Sequence, residues 1–588
     1  MSDLNISKKT IYNIFAGNKV NFLIPDYQRP YSWGIEECDT LWTDLYNFAF
    51  PDGNADNFTD DKDEYFLGTI LTVSNGSSQD EVIDGQQRLI TLLLLLRAFY
   101  EKFGDTQSKV RDKISECVWY LDKDDNPDKT RVKIISEVAT EADNAELRII
   151  LETGKANEKS KSHYAQNYFY FQNKIDEFKN SMPDDFSYFP KRIMQNCIML
   201  PIETNSQNTA LRIFTTLNDR GTPLSDSDIF KAQFYKYYSA PEQGGQISKN
   251  NFIKRWKELE TICNANFHPR TGTPLDDLFM RYMYYKLAES GTKNDTFIGL
   301  RPYFEKDNYQ KFKNEKSFED LVTLANFWND VSKRNEERFS ERVLKRLYVL
   351  SYSPYNIWSY IVSIYFMGNR DAQNKLDDEK FYKFLHKITA MFLMHSIVNP
   401  GNQNIRRPFF VEFTNIFKGN ELTFKAEPNA KQNYDYRQDR KLFRGKLNGT
   451  TFSNTKKITK AMLAWWTFQN DAQELPPLDT KLEIEHIYAK KLHETKPLAN
   501  VENLELLGNK SLLEKRINIY ASNLPFANKK IYYLGKTNKK NAMPTFNQEL
   551  FELAKKEDED FTENDILARN EKIFDGFINY LEENKLLK

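Results

Sequence analysis

Residues 86–103, QQRLITLLLLLRAFYEKF, place the strongest constraint on this chain. The run Leu89–Leu96 is eight residues long and apolar except for Thr91. A helix that is apolar on every side has no solvent face, so protein must surround it. Eight residues fall far short of the roughly 20 needed to span a bilayer, so the run reads as helix core. Just before it, EYFLGTILTVS (64–74) and EVIDG (81–85) read as two strands joined by the turn residues NGSSQD. Gly85 stands at the strand-to-helix junction. A buried helix fed by a hairpin needs a sheet to cover it, which makes the N-terminal region an α+β unit.

From about 107 to 420 the pattern is mostly helical. Charged faces alternate with Leu, Ile, Phe and Tyr at three- and four-residue spacings, as in FYKFLHKITAMFLMHSIV (381–398). ANEKSKS (156–162) and NGTTFSNTKK (448–457) read as loops, and the polar KAEPNAKQNYDYRQDRK (425–441) as a domain boundary. Beyond it come a helix over 456–470, a strand-like KLEIEHIYA (481–489) and a second run, NLELLGNKSLL (503–513). The expected fold class is α+β, predominantly helical. A chain of 588 residues has room for two or three domains.

Charge and cysteine usage narrow the function classes. With 82 Lys+Arg against 83 Asp+Glu, a uniformly basic surface is excluded, and contacts to nucleic acid must come from local patches. Cys38, Cys117, Cys197 and Cys263 form no C-x-x-C pair, which argues against a zinc ribbon and a secreted disulfide framework. The start, MSDLNISKKT, has no apolar signal core, so a cytoplasmic protein without a membrane segment is expected.

Asp84-Gly85-Gln86-Gln87-Arg88 closes a strand and opens a helix. A helix N-terminus offers unpaired N–H groups and positive dipole character to an anion. Gly85 lets a phosphate approach the backbone, and Arg88 supplies a planar bidentate donor. Asp84 can hold a metal ion or orient a water, and the two amides suit a base, a sugar or an attacking water. The plainer alternative is a tight turn with Asp84 as the cap and Arg88 ion-paired. The Pro-stiffened stretch Asp26–Trp33 and the polar turn Leu217–Leu224 add weight to a binding site. Near the C-terminus, His486 ends an alternating strand pattern, where a histidine is ordinarily a surface or capped residue. The other histidines, at 163, 268, 386, 395 and 493, sit in no ligand spacing.

Four motifs follow in order: I-P-x-Y-Q-R-x-Y-x-W (Ile24–Trp33), F-L-G-x-I (Phe66–Ile70), V-I-D-G-Q-Q-R-L (Val82–Leu89) and I-F-x-x-L-N-x-R-G-x-P-L (Ile213–Leu224). Together they resemble the N-terminal domain of GmrSD-type proteins. That resemblance implies a ParB/sulfiredoxin-like fold that binds and hydrolyses a nucleoside triphosphate, with a site built from Tyr27, Gln28, Arg29, Asp84, Gly85, Gln86, Gln87 and Arg88. I-E-H-I-Y, L-G-N-x-x-L-L-x-x-x-x-N and S-N-x-x-F-x-x-K-K resemble the C-terminal domain of the same proteins, an HNH (ββα-metal) nuclease. It implies His486 as general base, Glu485 and Asn509 as ligands of Mg²⁺ or Mn²⁺, Asn518 as a further catalytic candidate, and Lys529 on a phosphate. One departure is Ala489, where the family's H-x-x-P carries proline; it removes no reactive group.

The resemblance therefore implies a nucleotide domain over 1–240, a helical connecting region over 241–424 and a nuclease domain over 425–588. Such proteins are modification-dependent (type IV) restriction enzymes, which cut double-stranded phage DNA with hydroxymethylated or glucosylated cytosine. Two other readings remain at this point: a phosphorothioate-sensing nickase of an anti-phage system, and a nucleotide-gated DNA-binding module with an inert nuclease. A homodimer is the base-rate expectation for the assembly.

Overall fold

The computed structural model describes the chain except residues 1–3, 18–19, 26–27, 60–61, 75–78, 139–140, 206–208, 211–212, 214–224, 293–298, 426–434, 538–542 and 558–559. Tyr27, the polar turn Leu217–Leu224 and much of the polar stretch 425–441 thus lie outside the described residues. The fold is α+β and predominantly helical. Two compact units divide it, Met1–Ile253 and Lys254–Lys588, so the division falls inside the helical connecting region expected over 241–424, most of which shares a unit with the C-terminal segment.

In the first unit a mixed seven-stranded sheet runs β1-β9-β4-β5-β3-β8, with the short β2 also on β9. The strands are β1 (Leu4–Ile6), β2 (Lys9–Thr10), β3 (Phe22–Ile24), β4 (Tyr65–Ser74), β5 (Asp80–Asp84), β8 (Ile134–Ser136) and β9 (Cys197–Thr204); β6 (Trp119–Leu121) and β7 (Pro127–Val132) pair separately. The hairpin read from the sequence is β4–β5, antiparallel, with Thr72 opposite Val82. Helix α1 (Gln86–Phe103) follows at once, and every side chain from Leu89 to Tyr100 is buried. Each fully buried leucine there stabilises the fold by about 1.5–3 kcal/mol. Arg97, in the middle of the run, is buried too; it donates to Leu151 O at 3.1 Å and pairs with Glu101 at 2.9 Å.

The helical expectation for 107–420 needs correction at β6–β9. Strand β9, CIMLPIET, lies between β1 and β4, parallel to β4. Met199 is buried on one face while Ile198 and Leu200 are half-buried on the other, so both faces are apolar. A strand covered on both sides loses the polar alternation by which strands are recognised.

The second unit is a helical body carrying one antiparallel pair, β10 (Leu482–His486) and β11 (Lys510–Glu514). Helices α2 (Asp378–Val398) and α3 (Lys457–Thr467) precede the pair. After it come α4 (Lys515–Ala521), α5 (Phe526–Tyr533) and α6 (Glu563–Glu583). Ile487, Leu504, Leu513, Phe526, Tyr533 and Ile566 share one core beneath the pair. Among the described residues, no helix is long and apolar enough to cross a membrane.

Candidate active site

At the β5–α1 junction Gly85 takes φ 92°, ψ 1°, the left-handed region that glycine enters without steric penalty. A Cβ there would stand 3.2 Å from Thr69 O and 3.3 Å from Ile70 Cα, crowding the β4 backbone. The glutamines beside it act on the main chain. Gln87 Oε1 accepts from Ser32 N at 2.9 Å and Trp33 N at 3.1 Å, and its Nε2 donates to Pro30 O at 3.2 Å. Gln86 Nε2 donates to Arg29 O at 3.0 Å, and Gln28 Nε2 to Ile83 O at 3.1 Å. These three amides lace residues 28–33 onto β5 and α1, a use that residue chemistry alone does not reveal. Gln86 is buried, and among the described residues its Oε1 has no hydrogen-bond partner.

The charged groups remain beside them. Burial raises the Asp84 carboxyl, against the pull of the Gly85 N–H, Arg88 and Arg29. Arg88 Nη1 donates to Thr69 O at 2.9 Å, and its guanidinium packs over Gly68, where a side chain would overlap it. The Arg29 side chain is half-exposed, with Nε 3.5 Å from Asp228 on the helix Asp226–Tyr238. Asp84, Arg88 and Arg29 thus gather at the N-terminus of an 18-residue helix.

In the second unit, β10, β11 and α4 form a strand–strand–helix element. His486 ends β10 directly opposite Lys510, the first residue of β11. The imidazole is half-buried, and among the described residues its shielded Nε2 has no partner. Burial first, then the positive charges of Lys510 and Lys490, push its pKa down to about 3. The ring is neutral at pH 7.

Glu483 and Glu485 share the other face of β10, because side chains alternate along a strand. Glu483 Oε2 accepts from Asn518 Nδ2 of α4 at 3.1 Å. Glu485 is buried; its Oε1 accepts from Lys529 Nζ at 2.6 Å and Tyr533 OH at 2.7 Å, while Oε2 takes neither. Burial raises this carboxyl against the pull of Lys529 and Tyr533. Lys529, expected on a phosphate, is wholly buried and also donates to His486 O at 2.6 Å. Its ammonium ties α5 to β10 instead of facing solvent.

Asn509, expected as a metal ligand, has a different environment. Its exposure is 0%, and both ends of its amide go to main chain. Oδ1 accepts from Tyr488 N at 2.7 Å, and Nδ2 donates to Tyr488 O and Leu504 O at 3.1 Å each. That arrangement positions the strand exit after His486. Ala489 has φ −65°, ψ 135°, the backbone a proline would impose, so the exit keeps its course without the ring.

Several contributors were not singled out from the sequence. Arg569 of α6 donates to the carbonyls of Leu507, Gly508 and Lys510 at 3.0, 2.9 and 2.8 Å, which fixes the turn bearing Asn509. Gly508 lies so close to α6 that a Cβ would overlap Ile566 O. Lys510, also buried, donates to Glu505 Oε2 at 2.5 Å, and Lys490 pairs with the other Glu505 oxygen. Glu483 alone carried a sequence signal, the alternation Glu483–Glu485 ahead of His486.

No curated relative matches the chain. Two family models do: residues 11–235 match the GmrSD restriction endonuclease N-terminal domain, and residues 429–575 match the GmrSD restriction endonuclease C-terminal domain. The first match holds the Asp84–Arg88 junction and the second holds the β10–β11–α4 element, so the two charged constellations fall in the two domains of one architecture: the chain belongs to the GmrSD restriction endonucleases.

Proposed function

We propose that this restriction endonuclease is an HNH-type, divalent-metal-dependent enzyme that cuts phage DNA bearing hydroxymethylated or glucosylated cytosine. A nucleoside triphosphate held by a ParB/sulfiredoxin-like N-terminal domain regulates it. The observation that carries the nuclease half is the neutral, unpartnered His486 Nε2 at the end of β10, opposite β11 and followed by α4.

A neutral imidazole can take the proton of a water attacking phosphorus. A phosphate brought beside it raises its basicity, because a nearby anion favours the protonated form. Asn509 and Lys529 hold the strand exit in place through Tyr488 and the His486 carbonyl. On the opposite face of β10, Glu483, Glu485 Oε2 and the Asn518 amide offer oxygen donors suited to Mg²⁺ or Mn²⁺, which bind through one or two carboxylates and keep several waters. Among the described residues no three His, Cys, Asp or Glu side chains converge. A cation held there would supply charge neutralisation to a phosphate on that face of β10.

In the N-terminal domain, Arg88 and Arg29 at the α1 terminus suit a polyphosphate. Asp84 between them suits its cation or a water. The test is cleavage of glucosylated phage DNA with Mg²⁺, with and without nucleotide, before and after excess EDTA. Chelation should abolish cutting and nucleotide should change its rate. Full cutting in EDTA would contradict the metal-dependent reading.

A further inference from the structure

We infer that Lys490 takes the DNA phosphate beside His486, and that the Glu505 carboxylate occupies that phosphate's place until DNA arrives. The inference rests on the nuclease reading above and adds to it a residue that contacts substrate.

Lys510 faces His486 across the strand pair, yet its side chain is fully buried. A buried ammonium needs a counter-ion and full hydrogen bonding. Glu505 Oε2 supplies the charge at 2.5 Å and the Phe452 carbonyl a further acceptor. Glu505 has a second oxygen, and that one carries Lys490, the first residue of the short helix Lys490–Glu494 that follows β10. Two ammonium groups therefore share one carboxylate.

Their situations differ. The Lys510 side chain is 0% exposed, Glu505 28% and Lys490 51%. Lys510 cannot leave without stranding a charge in the core. Lys490 can, because an ion pair at the solvent edge is weak and exchanges readily. The trio carries one net positive charge, and it lies near His486, since Lys510 stands directly opposite His486 in the strand pair and Glu505 joins it to Lys490. A general base must come within hydrogen-bond reach, directly or through one water, of the proton it takes. The scissile phosphate then lies near His486, and Lys490 is the exposed cation of this trio. In this exchange Lys490 moves from carboxylate to phosphate while Glu505 keeps Lys510 neutralised. No covalent bond changes.

The experiment uses the full chain. Cleavage kinetics on phage DNA that the wild type cuts are compared for wild type, Lys490→Ala and Lys490→Arg. DNA affinity is measured against salt in a His486→Ala background with the same position-490 variants. Each phosphate contact contributes about 0.9 to the slope of log affinity against log salt. Lys490→Ala should lower that slope by about 0.9 and reduce kcat/KM by tenfold or more, and Lys490→Arg should restore both, which no folding defect would do. Wild-type kcat/KM and an unchanged salt slope in Lys490→Ala would overturn the inference, leaving Lys490 as a counter-ion of Glu505 and the nuclease reading intact. A wild-type chain that cuts no DNA would sink the nuclease reading itself, a separate result.

Discussion

Asn509 clasps the main chain of Tyr488 from both sides: Oδ1 accepts the Tyr488 N–H at 2.7 Å, and Nδ2 donates to the Tyr488 carbonyl at 3.1 Å. The clasp lies two residues beyond His486, so the direction in which the imidazole leaves β10 depends on a side chain that is itself sealed from solvent. Arg569 fixes the turn from behind through three carbonyls. His486 thus stands on a backbone held at fixed points.

Replacing Asn509 by Leu leaves the Tyr488 N–H and two carbonyls buried without partners. Each such group costs about 1–3 kcal/mol. We expect the second unit to unfold at lower urea, and the Ile487 and Tyr488 amides to exchange with deuterium far faster than in the wild type. Unchanged exchange at these two amides would show that the clasp does not hold the strand exit.

The Lys529–Glu485 pair gives a second prediction, because both side chains are buried, at 0% and 4% exposure. Lys529→Met strands a carboxylate in the core, which costs about 3–5 kcal/mol, whereas removing both charges recovers much of it. Urea denaturation should therefore rank wild type above the double variant Lys529→Met/Glu485→Gln, and the double variant above Lys529→Met alone. A single variant as stable as the wild type would contradict the buried pairing.

Three histidines of the second unit make its stability depend on pH. Burial pushes His486 and His386 down to about 3 and His395 to about 4, from an ordinary 6.5. The unfolded chain takes up protons near pH 6.5 and the folded chain does not. The stability from keeping these rings neutral is complete above pH 6.5 and is lost progressively as pH falls toward 3. Glu505 behaves similarly lower down: burial would raise it, but Lys490 and Lys510 outweigh burial and hold it at about 2, so its contribution fades only below its ordinary 4.5. Denaturation midpoints should fall between about pH 7 and pH 5, and His386→Phe should flatten that fall. Midpoints that rise over this interval would contradict the neutral histidines.

In the first unit, Arg88→Ala should abolish nucleotide binding by calorimetry while costing about 1 kcal/mol of stability for the lost bond to Thr69 O. Arg88→Lys should not restore binding, since an ammonium cannot make a bidentate guanidinium contact. Wild-type nucleotide affinity in Arg88→Ala would move the nucleotide site elsewhere.

Much of the local structure was legible because local signals agree. The leucine run, the hairpin before it and Gly85 between them each specify α1, β4 and β5 from a few residues of chain. His486 at a strand end was legible from the alternation of Leu482 to Glu485. What the sequence concealed depends on distant partners. Strand β9 hides because its neighbours cover both faces. Gln86 and Gln87 read as ligand-facing amides, yet their donors and acceptors go to a segment more than fifty residues earlier. The resemblance puts Lys529 on a phosphate, and only the packing of α5 beneath β10 shows it buried. The polar character of a side chain says that it needs a partner, and long-range packing decides which one.

The most direct measurement of the central claim is cleavage of matched phage DNAs by wild type and His486→Ala, in Mg²⁺. The DNAs carry cytosine, hydroxymethylcytosine, glucosylated hydroxymethylcytosine or phosphorothioate linkages. The wild type should cut the hydroxymethylated or glucosylated DNA and spare plain cytosine. His486→Ala should lose about 10²–10⁴ in rate, the usual worth of a positioned general base, while still binding nucleotide. Wild-type cutting by His486→Ala would contradict the account at its centre.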